Sequence, residues 1–336
     1  MIQSIIFGFI LLSFISIFRP VAKVEKYIVI FCGLVMLLFA GFREDSFDYI
    51  IYELLFENYE TISVEPAFKT ISYLVTQFTE DIRYLFLIFA FLGVSLKLKG
   101  ITTLSNFVLL SLVVYVSNFY LLHEMTQIRA GVASAFLLLS IKPNMERDLK
   151  KFLLFAILGF LFHYSALLIL PLWFLPKKIN VKILGISIFL GYASFFLGLN
   201  FVRIIPIPGI QEKIEAYLTL QEMNNEEINV FGYLYLFRIL IFYVLLFNYK
   251  KFSKYNIYFP LLLNMYAISL VVFTVFGKIP AFSSRISEML GVVEIILIPM
   301  LVYLFRVQIL GRLLVVLVAL VFLLVNLFYV ELIFDI

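Results

Sequence analysis

The sequence is a succession of apolar runs, most of them close to the ~20 residues that a helix needs to cross the hydrocarbon core of a bilayer. The runs are 2–18, 27–42, 84–96, 104–122, 126–141, 152–175, 181–199, 230–248, 257–276, 287–305 and 313–330, eleven in all. In lipid every backbone N–H and C=O must be bonded inside the protein, which leaves the α-helix as the conformation of such segments. Only 14% of the 336 residues are charged and 63% are hydrophobic. A soluble domain carries about 25% charge, so a water-soluble fold is excluded. The 26 Lys and Arg residues are scattered between the runs, which argues against nucleic acid as a partner. One cysteine, Cys32, and two histidines, His123 and His163, exclude a disulfide framework and a zinc cluster. The expected fold is an all-α polytopic membrane protein forming a single integral membrane domain over 1–336, with no metal and no cofactor.

The run 152–175 decides the count. By length it suits one tilted helix, giving eleven spans, yet His163, Tyr164 and Ser165 stand at its middle and Pro171 follows. Lys142, Arg147, Lys150 and Lys151 precede it and Lys177, Lys178 and Lys182 follow it. The positive-inside rule places both flanks in the cytoplasm, so the chain is expected to enter and return near His163. That gives about twelve transmembrane helices with both termini outside. The run at 2–18 has no basic n-region and no small-residue cleavage site, and reads as the first span.

With this topology the inner segments, Lys97 and Lys99 among them, hold 13 Lys and 4 Arg. The outer side holds 6 Arg, 3 Lys and 19 of the 22 acids. Orientation needs only positive charge, whereas planar bidentate recognition of phosphate favours arginine. Two outer loops are longer than turns, 43–83 and 200–229. In the first, Asp48, Tyr49, Tyr52 and Glu53 fall at helical spacing, which predicts amphipathic helices at the interface.

Ionisable residues at membrane depth are the default candidates for function. Arg238 and Glu294 lie about 10–12 Å inside their spans, at ~1.5 Å per residue. They fit either a structural pair or an anionic-ligand site. Arg285 and Glu288 fit a local helix pair equally well. His123, Glu124, Gln127 and Arg129 crowd one outer junction, readable as a satisfied interhelical turn or as a polar site. His163 carries the one side-chain type suited to base chemistry near neutral pH. No phosphate-binding Walker loop, dinucleotide fingerprint or zinc-protease motif is present.

Three segments together resemble the EpsG-type branch of Wzy-like O-antigen and exopolysaccharide polymerases. The first is Ala40-Gly41-Phe42-Arg43 with Asp48, Tyr49 and Tyr52. The second is Gln127-Ile128-Arg129-Ala130-Gly131 with Phe162-His163-Tyr164-Ser165 and Pro171. The third is Ser284-Arg285-Ile286. The resemblance implies a glycosyltransferase that moves a growing glycan from undecaprenyl pyrophosphate to a hydroxyl of a lipid-linked repeat unit. It would act on the periplasmic or outer face of a bacterial cytoplasmic membrane, possible chain-length regulators being its protein partners. In that setting Arg129, Arg285, Arg43 and Arg238 are expected to hold pyrophosphate. His163 is the expected base, with Asp48 as the alternative base or orienting carboxylate. Tyr49, Tyr52, Tyr164, Gln127, His123 and Glu124 are expected to meet sugar. A flippase or transporter of the same lipid-linked oligosaccharide is the competing reading. Against it stand the absence of paired sequence repeats and the gathering of polar residues on one face.

Overall fold

The computed structural model describes residues 1–18, 20–43, 48–199 and 228–333. The acidic stretch 44–47 and most of the expected outer loop 200–229, with Arg203 and Lys213, fall outside that set. All regular elements among the described residues are helices, and the chain groups into two compact units, 1–173 with 294–336, and 174–293.

The first unit opens with α1 (Ile2–Phe18), α2 (Ala22–Gly41), α3 (Tyr49–Glu57), α4 (Pro66–Thr76) and α5 (Arg83–Leu104). A short α6 (Val108–Val114) runs directly into a ten-residue π-helix, Tyr115–Glu124. Then come α7 (Ile128–Glu146), α8 (Leu149–Phe162) and a 3₁₀ helix, Tyr164–Phe174. The second unit holds α9 (Val181–Phe196), α10 (Tyr233–Phe247), α11 (Tyr249–Tyr255), α12 (Phe259–Val275) and α13 (Pro280–Gly291). The chain returns to the first unit with α14 (Glu294–Leu297), a 3₁₀ turn at Ile298–Leu304, and α15 (Gln308–Phe328).

Four helical stretches are long and apolar enough to cross a membrane, Ala22–Gly41, Arg83–Leu104, Phe282–Leu304 and Gln308–Phe328. A fifth is gained if α10 and α11, which meet at 77°, are one broken span. Shorter apolar helices of 10–17 residues accompany them. The protein is a multi-pass, all-helical membrane protein. Its exposed surface agrees with a lipid solvent: Phe7, Phe14, Phe31, Phe189 and Phe247 are each more than 60% exposed.

The expected break near His163 is present. The backbone of His163 is extended (φ −157°, ψ 129°) where α8 ends. The 3₁₀ helix then doubles back, because Asn144 Nδ2 donates to Leu172 O and Arg147 to Trp173 O, and Trp173 meets Phe152 near the start of α8. Eleven residues at the ~2.0 Å rise of a 3₁₀ helix reach as far as the 14 of α8 at ~1.5 Å, which is how so short a return matches its partner. Helices are also found within 43–83, as α3 and α4. Tyr52 and Phe56 of α3 and Phe68 and Val75 of α4 are buried on α5 and α7, while α3 turns Ile50, Ile51 and Leu54 outward.

Lys97 departs from the reading of its charge as an inner-face residue. The run 84–96 continues as one helix to Leu104, so Lys97 lies two turns inside the end of α5 and points into the bundle. Lys99, two positions on and across the helix, is exposed.

Candidate functional site

The site is built where three elements begin or end. Glu65 precedes α4 with extended backbone (φ −63°, ψ 147°), and Pro66 takes the first helical position. Proline there lacks an N–H and presets φ, so the helix starts without a side-chain cap, and the Glu65 carboxylate is available elsewhere. It turns inward and pairs with Nη1 of Arg129, the second residue of α7. The Arg129 guanidinium also lies over the rings of Tyr52 and Phe68, at 5.6 and 5.5 Å. Apolar walls around a carboxylate–guanidinium pair strengthen it by keeping water off.

The other Glu65 oxygen faces Nε2 of His163 at 3.9 Å. Ser165 N–H donates to His163 Nδ1 at 3.2 Å, and the Ser165 hydroxyl lies 2.6 Å from the same atom. An amide can only donate, so Nδ1 accepts and the neutral ring carries its proton on Nε2, toward Glu65. Tyr164 donates to Val64 O at 3.4 Å, tying the same turn to the backbone beside Glu65. Side-chain exposure falls from 22% at Arg129 through 15% at His163 to 6% at Glu65. The cluster therefore opens at the arginine and histidine and closes at the carboxylate. Glu65 is the member of this cluster that sequence reading passes over. It is one of many acids in its loop, and its only local signal is the following proline.

Beneath Arg129 the start of α7 is held by a second, sealed network. Lys97 Nζ donates to Glu124 Oε1 at 2.5 Å and to Gly131 O at 2.8 Å, with both side chains at most 1% exposed. Ser134 donates to the same Gly131 carbonyl and lies 3.1 Å from His123 Nδ1. Both glycines here are required by close approach. A Cβ on Gly93 would stand 2.8 Å from Glu124 Oε1, and one on Gly131 would stand 2.9 Å from His123 O. The His123 oxygen belongs to the backbone and cannot swing aside. Gly131→Ala is therefore expected to destabilise by about 1–3 kcal/mol as an overpacking change, read as a lower unfolding midpoint of the purified protein. An unchanged midpoint would show that the π-helix end moves freely.

The other expected site residues divide between the two units. Arg43 is buried, donates back to Ala40 O at 2.6 Å and lies 4.0 Å over Phe86. Burial lowers its guanidinium to about 10, which leaves it charged at neutral pH. Tyr49 and Tyr52 pack on Phe86, and Tyr52 also on Phe68, so their rings serve the core under α3 and α4. Burial pushes the Tyr52 phenol up, keeping it a neutral donor. Asp48 stands at the start of α3, and Gln127 precedes α7 half-buried. His123 and Glu124 are closed off in the sealed network. Glu294, in the first unit, accepts from Asn118 at 3.3 Å, and Asn118 in turn accepts from Asn326 at 3.1 Å. Arg238 and Arg285 belong to the second unit, the first half-buried on α10 and the second exposed on α13. Among the described residues no group of three or more His, Cys, Asp or Glu side chains is placed to hold a metal ion.

A sequence model of the EpsG family matches residues 26–334, nearly the whole chain, with every residue of the cluster inside it. The chain belongs to the EpsG family. It is also 25% identical over 236 residues to the amylovoran biosynthesis protein AmsC of Erwinia amylovora, a match covering 67% of this chain and 61% of that relative. The matched region thus spans less than two thirds of the relative's length. No solved structure gives a significant match. The EpsG assignment agrees with the resemblance carried by Arg43, Arg129 and His163 and covers the hairpin that turns at His163.

Proposed function

We propose that this EpsG-family chain is a polysaccharide polymerase of the bacterial cytoplasmic membrane. It transfers a growing glycan from undecaprenyl pyrophosphate to a hydroxyl of a lipid-linked repeat unit on the periplasmic or outer face. The whole chain is one membrane domain of about twelve spans, with 43–83 and 200–229 outside. A chain-length regulator is a proposed protein partner. One observation supports the reading: a guanidinium, a carboxylate and an imidazole converge at the start of α7, beside the amphipathic helix α4.

In the reaction the acceptor oxygen attacks the anomeric carbon and the bond from that carbon to the phosphate oxygen breaks. Pyrophosphate leaves with the electron pair, and the hydroxyl proton passes to a base. Arg129 is the group suited to the leaving pyrophosphate, since its planar fork binds two oxygens at once. Binding pyrophosphate would draw it from Glu65 and leave that carboxylate as the free base. The expected base was His163, but its Nδ1 already accepts from Ser165, so its natural part is to orient Glu65 or a sugar oxygen through Nε2–H. Tyr164 and Gln127, at the open side, are suited to sugar contacts. Asp48 remains the alternative base or orienting carboxylate, while Tyr49, Tyr52, His123 and Glu124 act from behind by fixing α3 and the start of α7. Arg43 adds positive charge behind the site, and Arg238 and Arg285 are proposed phosphate ligands of the second unit.

The test is elongation by the purified full chain of a synthetic pyrophosphate-linked repeat unit in the presence of chelator. A ladder of products is expected. No elongation of the authentic repeat unit under conditions where the protein remains folded would overturn the reading.

A further inference from the structure

At the far end of α7 from Arg129 the three most closely packed helices of the first unit leave a groove. α5 and α8 both pack on α7, one on each side. A cavity of about 240 Å³ lies over α7 between them. Lys142 is thirteen residues beyond Arg129, or about 20 Å along the helix, so the groove stands near the opposite boundary of the hydrocarbon layer.

The groove has a basic mouth and an apolar side. Lys99 of α5, Lys142 of α7 and Lys151 of α8 surround the mouth. Leu139 and Phe155 line its apolar side, and Leu138 is buried beneath them against Gly100. Higher up the way is closed by rings, since Phe136 packs on Phe155 and Phe162 at 6.3 and 5.9 Å and Phe162 on Phe89 at 5.8 Å. An occupant is therefore confined to the basic end of the groove.

The charges are not balanced within the protein. Lys142 faces Glu146 at 3.8 Å and Lys151 faces Asp148 at 2.9 Å, both exposed pairs of small value. Lys99 makes no ion pair among the described residues, and the hydroxyls of Thr102 and Thr103 occupy its carbonyl. Three ammonium groups stand against two carboxylates, Glu146 and Asp148, and the surplus charge on Lys99, over leucine and phenylalanine, matches an anion that carries its own hydrocarbon. A soluble phosphate would satisfy the mouth and leave the apolar side unmatched.

We propose that this groove binds one anionic phospholipid of the bilayer, its phosphate held by Lys99, Lys142 and Lys151 and the first part of an acyl chain laid against Leu139 and Phe155. Basic pockets between helices at the cytoplasmic side are suited to such headgroups. The site is independent of the glycan chemistry and about 20 Å from it along α7.

The experiment measures the thermal unfolding midpoint of the purified full chain in neutral detergent as phosphatidylglycerol is titrated in, with phosphatidylcholine as reference. Phosphatidylglycerol is expected to raise the midpoint saturably and phosphatidylcholine to leave it unchanged. Lys99→Gln, which breaks no ion pair, is expected to weaken the half-saturating concentration about fivefold, and Lys99→Gln/Lys142→Gln about 25-fold, at roughly a factor of five per lysine. Lys250→Gln/Lys254→Gln, an equal loss of charge in the second unit, is expected to titrate as the unaltered protein does. The proposal is overturned if the groove variants titrate normally, if the control pair loses the effect equally, or if inorganic phosphate alone reproduces the shift.

Discussion

Lys97→Ala is expected to destabilise the folded protein by about 3–5 kcal/mol, the cost of leaving one partner of a buried ion pair uncompensated. Glu124, 1% exposed and closed in against Gly93, would keep its carboxylate without the ammonium that now lies against it. The Gly131 carbonyl would lose a donor at the same time. Replacing both charges is a different experiment. Lys97→Met with Glu124→Leu removes the desolvation cost together with the attraction, and is expected to recover most of the loss. The measurement is the unfolding midpoint in detergent of both single variants and the double. A double variant as unstable as Lys97→Ala would mean that the shape of the two side chains matters and their charge does not.

The same lysine shows where sequence reasoning stops. Spans are legible because lipid imposes a length and an internal hydrogen-bond requirement on every apolar run. The turn at His163 is legible because lysines flank the run 152–175 on both sides, and one straight crossing would put one flank outside. Both signals are properties of the chain against its solvent. Lys97 beside Lys99 reads as the same kind of charge, yet two positions apart on a helix point about 200° away from each other. Which of them faces the bundle depends on a partner 27 residues away.

Glu65 and Arg129 are 64 residues apart for the same reason. Arg129 is legible from its place at the junction of two apolar runs and from the resemblance that Gln127-Ile128-Arg129-Ala130-Gly131 carries. Glu65 is one acid among Glu53, Glu57, Glu60 and Glu80, and only the fold of α4 onto α5 and α8 selects it. Arg43 is the opposite case. Its position was conspicuous, but the side chain turns back on the end of α2 and onto Phe86, a choice made by local geometry. The ten-residue π-helix had no signal at all, since its apolar pattern differs little from that of an α-helix in a segment buried on every side.

Glu65→Gln is expected to lower polymerisation by about 10²–10⁴-fold, the range for loss of a positioned general base. The amide keeps the size and can still accept from Arg129, while it loses the negative charge and the ability to take a proton. Arg129→Lys is expected to cost about 10²–10³-fold, because charge remains while the two-oxygen fork that stabilises a leaving pyrophosphate is gone. If the carboxylate is freed only when Arg129 shifts to pyrophosphate, the two residues work as one device. The double variant should then be little slower than the worse single one, since the effects of groups acting as a unit do not multiply. His163→Ala, which leaves both atoms of that device in place, should cost less than Glu65→Gln. Initial rates of ladder formation on a pyrophosphate-linked repeat unit, with protein amounts matched by folded fraction, separate these cases. A Glu65→Gln protein elongating at the unaltered rate would remove the carboxylate from the reaction. A His163→Ala loss exceeding that of Glu65→Gln would return the proton to the imidazole.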